Sequence, residues 1–168
     1  MEFYYDSLQF NDHRYYLIAS NAGLCFVGSP DAPLSEVNEF FSTDKLPSDP
    51  TKLALIKKQL LEFLNGIRQS FDLPLDPQFG TALQQKVWHT LATIPYGETI
   101  TYQELAQRIN RPTAIRAVAS AVGRNPWMMV VPCHRVIRTD HTMGGYRGGL
   151  PLKTALLKME NTLTTLAF

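Results

Sequence analysis

The stretch VVPCHRVI, residues 130–137, places a cysteine and a histidine side by side in an otherwise β-branched run. A thiol with a base close by is a strong nucleophile, so Cys133 and His134 are candidates for covalent group transfer. Neighbouring residues of an extended strand point to opposite faces, so a direct contact between them is not assured. The alternative is a core strand with an incidental cysteine, because free cysteine is among the most buried residue types.

Two short helices are predicted before this stretch, and they are the first candidates for the elements that position Cys133 and His134. Thr101 and Glu104 have the spacing of a capping box, which predicts a helix start. Residues 110–112, Asn-Arg-Pro, turn the chain, and a second helix is predicted over residues 113–122, ended by Gly123. Two short helices joined by such a turn are a helix-turn-helix candidate.

The second helix of this pair has one apolar face and one small, basic face. The residues predicted to face the core are Ile115, Val118, Ala119 and Val122. The residues predicted to face outward are Arg116, Ala117, Ser120 and, further on, Arg124. Small side chains around a single arginine favour close approach of a nucleic acid, whereas the alternative is a helix packed on another helix through its alanines. Since this face carries no Asn or Gln, phosphate and groove-shape contacts are favoured over base reading.

Charge divides the chain into two halves. Residues 1–79 contain 6 Lys and Arg against 11 Asp and Glu, a net charge of −5, whereas residues 80–168 contain 10 against 4, a net charge of +6. The basic half predicts a nucleic-acid or other polyanion surface, and chance clustering on a solvated surface is the alternative.

The predicted elements divide at the same place. Aromatic and β-branched runs at residues 3–7, 14–20 and 23–29 predict strands, and residues 51–67 have the apolar spacing of an amphipathic helix. The second half is mostly helical. We therefore predict an α+β protein, with an N-terminal antiparallel β-sheet plus helix domain over residues 1–79 and a mostly helical domain with a helix-turn-helix over residues 80–168.

Composition excludes several classes of protein. Apolar residues make up 45% of the chain and no stretch is long enough to span a bilayer, so no membrane association is expected. Glu2 and Asp6 lie where a signal peptide would be positive, which predicts a cytoplasmic protein, or a nuclear one in a eukaryotic source. Cys25 is interpreted as a core residue, and a disulfide with Cys133 is improbable. The cysteines and histidines lack metal-ligand spacing, so we expect no zinc and no other metal.

Five segments together resemble the O6-alkylguanine-DNA alkyltransferases: IPYGETITYQELA, RAVASAVGRNP, VVPCHRVI, GGYRGG and a helix ending LLKME. The resemblance is dense from Thr81 to Glu160. It implies stoichiometric transfer of an alkyl group from O6-alkylguanine in double-stranded DNA to Cys133, on a protein that is used once. O4-alkylthymine is a further candidate substrate. The resemblance also implies minor-groove contact with a flipped nucleotide, no cofactor, and a monomer in solution.

The resemblance assigns chemical roles to residues at matching positions. Cys133 is the nucleophile and must have a lowered pKa, and His134 acts on it through a bridging water. Glu160 holds the imidazole, and Tyr102 assists the leaving guanine and the rotation of the nucleotide. Asn125 braces the turn between the second helix and the cysteine segment. Since the pair is adjacent in sequence, we predict that the backbone turns at residues 132–133.

The resemblance also implies a pocket and a DNA surface. The predicted pocket walls are Val122, Trp127, Met128, Val136, Tyr146, Arg147 and Gly148. The predicted DNA contacts are Tyr102, Gln103, Arg111, Arg116, Ala117, Ser120, Arg124 and Thr139. Arg116 would fill the stack that the flipped nucleotide leaves. Two departures put the range of accepted alkyl groups in question: Arg147 stands where small residues are common, and Trp127-Met128 is bulkier than the usual loop.

Two other functions compete with this one. A DNA-binding protein without chemistry, such as the alkyltransferase-like class, lacks the acceptor cysteine, and Cys133 argues against it. A cysteine hydrolase needs a way to regenerate its thiol, and nothing in the sequence indicates one.

Overall fold

The computed structural model describes residues 1–161 and forms two compact units. Of these residues, the first unit contains 1–79 and 126–130, and the second contains 80–125 and 131–161. The sequence division had left residues 126–130 in the second half. They belong with the first unit because the Val27 N–H donates to the Pro126 carbonyl at 2.8 Å and the Trp127 indole donates to the Leu24 carbonyl at 2.7 Å.

The first unit is a three-stranded antiparallel sheet with a helix packed against it. Its strands are β1 (Phe3–Phe10), β2 (His13–Ser20) and β3 (Leu24–Val27), in the order β1-β2-β3, and its helix is α1 (Pro50–Leu64). Asn11 and Asp12 both take positive φ, as a two-residue hairpin turn requires. Leu53, Leu60 and Phe63 form the buried face of α1. The predicted sheet and helix are confirmed, except that Ile67 lies beyond the helix and is 76% exposed.

The second unit is mostly helical, as predicted. Its elements are α2 (Ala82–Leu91), β4 (Ile100–Thr101), α3 (Tyr102–Arg108), α4 (Ile115–Gly123), β5 (Val136–Ile137) and α5 (Leu150–Met159). Capping boxes start both α2 and α3, at Thr81 and Thr101. The Trp88 indole on α2 donates to the Ala121 carbonyl on α4 at 2.8 Å and fixes one helix against the other.

A short parallel pairing in this unit brings the chemistry-bearing residues together. Ile100 and Thr101 of β4 pair with Val136 and Ile137 of β5. Because α3 follows β4 directly and β5 follows the Cys133 segment, the pairing places Tyr102 beside the cysteine. Within the described part of the chain, the helices are too short or too polar to span a bilayer.

Candidate active site

Cys133 begins a single 3-10 turn, Cys133–Arg135, instead of lying in a strand. Pro132 has φ −81° and ψ 65°, and the Cys133 N–H donates back to the Val131 carbonyl at 2.8 Å. The predicted turn at Pro132-Cys133 is confirmed. Because the segment is a turn, the side chains of Cys133 and His134 are not forced to opposite faces as they would be in a strand.

A cavity of about 270 Å³ opens onto Cys133. Its lining consists of Tyr102, Ala119, Val122, Gly123, Asn125, Cys133, Gly145, Tyr146 and Arg147. Six of the predicted catalytic or pocket residues therefore share one cavity. Ala119, Gly123 and Gly145 are the lining residues that the sequence did not assign to the pocket.

Four predicted pocket residues lie outside this lining. Trp127 and Met128 belong to the first unit, where both are buried. Val136 is fully buried in β5, and its carbonyl accepts a hydrogen bond from the Lys153 ammonium at 2.8 Å. Gly148 is also buried, two residues before the start of α5.

The side chains of His134, Arg135 and Glu160 form one buried network. The Glu160 carboxylate lies 2.7 Å from Nε2 of His134 and accepts from Nε and Nη2 of Arg135 at 2.6 and 2.5 Å. Arg135 also donates to the Ile94 carbonyl at 2.7 Å. Glu160 is the residue at the C-cap of α5, so the end of this helix delivers the carboxylate to the cysteine turn.

Electrostatics define the protonation states of this network. Burial acts to raise the pKa of Glu160, but hydrogen bonds from His134 and Arg135 and the positive charge of Arg135 lower it overall. Burial lowers the pKa of His134 although Glu160 opposes the change. An ionised carboxylate accepts only, so the neutral imidazole donates from Nε2 and keeps its lone pair on Nδ1. His134 is therefore set up as a base through Nδ1.

The pKa of the Cys133 thiol is raised, whereas the sequence analysis expected it to be lowered. Burial raises its pKa, and this effect outweighs a hydrogen bond from Asn125 and the positive charges of Arg147 and Lys153, which all act to lower it. A buried thiolate is costly without full compensation. The protein thus holds a neutral thiol, and forming the nucleophile requires that its proton be removed.

Asn125 and Lys153 hold the segments on either side of the cavity. The Asn125 amide donates to the Val131 carbonyl at 2.8 Å and spans the 126–130 segment, as its predicted bracing role requires. The Lys153 ammonium is fully buried and donates to the carbonyls of Val136, Met143 and Gly145. Lys153 therefore fixes the glycine-rich segment that supplies one wall of the cavity.

A groove of about 370 Å³ adjoins this cavity and shares lining residues with it. It is lined by Tyr102, Ile115, Arg116, Ala119, Arg138, Thr139, Gly144 and Gly145. Gly144 has φ +69°, and a Cβ there would lie 3.2 Å from the Tyr102 hydroxyl, so glycine lets the phenol pack closely. Burial raises the pKa of Tyr102, a thiolate on Cys133 raises it further, and the positive charge of Arg138 opposes the shift. The phenol thus stands neutral between the cavity and the groove.

Most of the predicted DNA contacts are exposed. Gln103, Arg111, Arg116, Ala117, Ser120 and Thr139 are exposed, while Tyr102 and Arg124 are half-buried. The predicted core face of α4 is partly wrong. Ile115 is 38% exposed because it is the first residue of the helix and borders the groove, and the buried residues are Val118, Ala121 and Val122.

Three charged site residues were also missed by sequence reasoning: Arg135, Lys153 and Arg138. Arg135 lies in a run of otherwise buried residues, so a charged partner should have been sought for it. Lys153 lies on the same face of α5 as Leu156, Leu157 and Glu160, which is the signal of a buried lysine. Arg138 carried no signal beyond its positive charge. Among residues 1–161, no three His, Cys, Asp or Glu side chains cluster as metal ligands would.

Comparison with known proteins adds independent findings. Residues 82–162 match the sequence model of the 6-O-methylguanine DNA methyltransferase DNA-binding domain. The chain is 40% identical, over 161 residues, to the inducible methylated-DNA–protein-cysteine methyltransferase of Bacillus subtilis, a match covering 94% of this chain and 89% of that one. It is 43% identical to the bifunctional transcriptional activator/DNA repair enzyme Ada of Escherichia coli over 84% of this chain, but spans only 40% of Ada.

Solved structures agree with these sequence matches. The O6-methylguanine methyltransferase of Mycobacterium tuberculosis superposes with a TM-score of 0.82 at 33% identity, covering 96% of this chain and 94% of that one. The same organism's protein in complex with DNA gives a TM-score of 0.81 at 37% identity, covering 95% and 93%.

Proposed function

The chain belongs to the methylated-DNA–protein-cysteine methyltransferase family, and on that basis we propose that it repairs DNA by moving an alkyl group from O6-alkylguanine to Cys133. The observation that carries the proposal is a buried thiol at a cavity, next in sequence to a neutral histidine that an ionised glutamate orients. O4-alkylthymine presents a similar alkoxy carbon and is the second candidate substrate. Each protein molecule acts once, since a thioether has no route back to a thiol here.

The first step is activation of the sulfur. Because the resting thiol is neutral, its proton must leave as the sulfur attacks, and Nδ1 of His134 is the acceptor through a bridging water. Glu160 stabilises the imidazolium that forms, as a carboxylate does for a histidine base. Asn125 and Arg147 stabilise the developing thiolate.

The second step is departure of the guanine. The sulfur displaces O6 from the alkyl carbon, and the electron pair of the broken C–O bond goes to the base. Tyr102 lines the cavity with a phenol whose pKa is raised, so it stays protonated and able to donate a hydrogen bond to the leaving base. The guanine ring takes up the proton that left the thiol, and the carbonyl form of guanine results, with normal pairing restored.

The DNA path follows the groove beside the cavity. A base inside a duplex cannot reach a buried thiol, so the nucleotide must rotate out of the stack. Arg116 lies at the exposed edge of the groove and is suited to occupy the vacated space. Arg138 and Thr139 line the same groove, are exposed, and are suited to hold phosphate. The small exposed residues Ala117 and Ser120 allow close approach to the minor groove.

We further propose that the protein acts as a monomer in the cytoplasm. In the proposed mechanism one protein molecule supplies the nucleophile, its base and the hydrogen-bond donor to the leaving guanine, so no second subunit takes part. A free thiol as reactant requires a reducing compartment.

Intact-protein mass after incubation with an O6-methylguanine duplex tests the transfer. We expect a gain of one methyl group on the peptide that contains Cys133, and no gain for Cys133→Ser. Cys25→Ser is the matched control and should be alkylated normally. Tight DNA binding by the unmodified protein without any mass gain would instead identify a binding protein that performs no chemistry.

Two substrates separate the DNA role of Arg116 from the chemistry. Arg116→Ala should slow reaction with duplex O6-methylguanine at least about tenfold while reaction with free O6-benzylguanine stays unchanged, because the free base needs no rotation out of a stack. Equal losses on the two substrates would contradict the proposed role.

A further inference from the structure

A five-residue segment shortly before the cysteine turn is held by the first unit. Residues 126–130, the anchor segment, belong with that unit, although the residues on either side of them belong to the second. The Val27 N–H of β3 donates to the Pro126 carbonyl at 2.8 Å, and Val27 and Trp127 form a parallel β-bridge. The anchor segment is therefore fixed to β3 by its backbone.

The Trp127 side chain adds a second attachment. It is 3% exposed, and its indole N–H donates to the Leu24 carbonyl at 2.7 Å. The same carbonyl accepts from the Asp76 N–H at 2.8 Å. A carbonyl oxygen has two lone pairs, so this one stays hydrogen-bonded when the indole N–H is removed. Loss of that N–H would loosen the anchor segment without leaving a buried carbonyl unpaired.

The chain between the anchor segment and the acceptor thiol is short and constrained. The carbonyl of Val131, the first residue after the anchor segment, accepts from the Asn125 amide and from the Cys133 N–H, both at 2.8 Å. Met129 is buried and has φ +73°, in the left-handed region that residues other than glycine rarely adopt. Such a conformation persists only where the surrounding structure holds it. A shift of the anchor segment therefore reaches Cys133 instead of being absorbed on the way.

We propose that Trp127 is a positioning residue for the alkyl transfer, and that it sets the place of the Cys133 sulfur by seating the anchor segment in the first unit. This inference rests on the proposed function, because it assigns a further residue to the same reaction. The sulfur must lie in line with the breaking C–O bond, and a misplacement of about 1 Å costs up to roughly a hundredfold in rate. The first unit thus takes part in the chemistry, although none of residues 1–79 lines the cavity.

The alternative is that Trp127 only fills space in the core. Its replacement would then lower stability and leave the folded protein fully reactive. If Trp127 positions the sulfur, a folded variant reacts slowly even when it is saturated with substrate. Its binding of DNA is unchanged, because none of the predicted DNA contacts lies in the anchor segment.

Trp127→Phe keeps an aromatic ring at this place and removes the N–H donor. We expect single-turnover methyl transfer from saturating O6-methylguanine duplex to slow about tenfold. Reaction with free O6-benzylguanine should slow by the same factor, because the defect lies at the sulfur. The dissociation constant for an unmodified duplex should not change. All rates are measured well below the melting temperature of each protein.

Phe63→Leu is the matched control, because Phe63 is fully buried on α1 of the same unit and lies outside the anchor segment. It should lower the melting temperature and leave both rates unchanged. An unmodified rate for Trp127→Phe, an equal slowing in Phe63→Leu, or a slowing confined to the duplex would overturn the inference. Failure of the unmodified chain to remove a methyl group would instead overturn the proposed function.

Hydrogen exchange of the unmodified chain gives a second test that needs no variant. The Val27 N–H reports on the seating of the anchor segment through its bond to Pro126, and the Cys133 N–H reports on the cysteine turn. We expect the free energy of opening at Cys133 to be no lower than that at Val27, because the turn moves only when the anchor segment is released. A lower value at Cys133 would reveal a turn that moves while the segment stays seated, and the inference would fail.

Discussion

Removing the charge of Glu160 should weaken both the stability and the chemistry of the protein. Its carboxylate lies 2.7 Å from His134 and 2.5 Å from Nη2 of Arg135, and all three side chains are buried. Glu160→Gln leaves the Arg135 guanidinium without a counter-charge, and breaking a buried pair in this way costs about 3–5 kcal/mol. For a chain of this size, about 4 kcal/mol lowers the melting temperature by roughly 8–16 °C.

A double-mutant cycle with Arg135→Met isolates the ion pair. Replacing both charges should cost less than the two single losses added together, by about 2–3 kcal/mol, because no uncompensated charge then remains. The free energies of unfolding are measured by urea titration of the four proteins. Additive losses would refute the account of Glu160 and Arg135 as one buried pair.

The same variants separate orientation of the base from folding. Glu160→Gln should slow single-turnover methyl transfer roughly tenfold to a hundredfold, because the imidazolium loses its stabilising charge. Arg135→Met keeps the contact between Glu160 and His134 and should slow transfer less. A Glu160→Gln protein that folds and transfers methyl at the unmodified rate would refute the role of this carboxylate in catalysis.

Three further outcomes follow from the site and its supporting elements. Burial lowers the pKa of His134, so the rate of methyl transfer should stay level down to about pH 6.5, the ordinary histidine value, and fall only below it; a decline that begins above that pH contradicts a neutral resting base. Lys153→Met should slow transfer and release the 143–149 segment to hydrogen exchange. Because burial lowers the pKa of Lys153 to about 8 against about 10.4 in an unfolded chain, the folded state binds fewer protons between these values. Lysine 153 should thus make stability rise with pH across that window, and the rise should be absent from Lys153→Met. Thr101→Ala removes the cap of α3 and should lower the free energy of unfolding by about 1 kcal/mol, with Thr81→Ala on α2 as the comparison.

Local signals predicted the elements of this fold, and each has a physical cause that acts over a few residues. The capping box at Thr101 starts a helix where it was expected, since its hydrogen bonds close within one turn. The strands and the amphipathic helix α1 follow from β-branched runs and apolar spacing in the same way. The prediction that Ile115 faces the core was wrong because its position at the helix start exposes it. Periodicity alone does not show where a helix begins.

The site contacts that sequence analysis missed are those between residues far apart in the chain. The Arg135 guanidinium meets a carboxylate 25 residues away, and the Lys153 ammonium meets three carbonyls across two segments. Trp127 was expected in the pocket but bonds to Leu24, more than 100 residues earlier in the chain. Only a resemblance to known proteins connected His134 with Glu160 before the structure was known, because nothing local ties a helix end to a distant turn.

The two cysteines show why burial alone does not decide reactivity. Cys25 and Cys133 are 1% and 6% exposed, and burial raises the pKa of both. Asp76 adds a negative charge beside Cys25, which raises its pKa further, to about 12. Around Cys133 the neighbours have the opposite sign, since Arg147, Lys153 and the Asn125 amide all favour the thiolate. In addition, a histidine base, His134, directly follows Cys133 in the turn that Pro132 precedes. The charge of the neighbouring groups and access to a base therefore decide which of the two buried thiols is reactive.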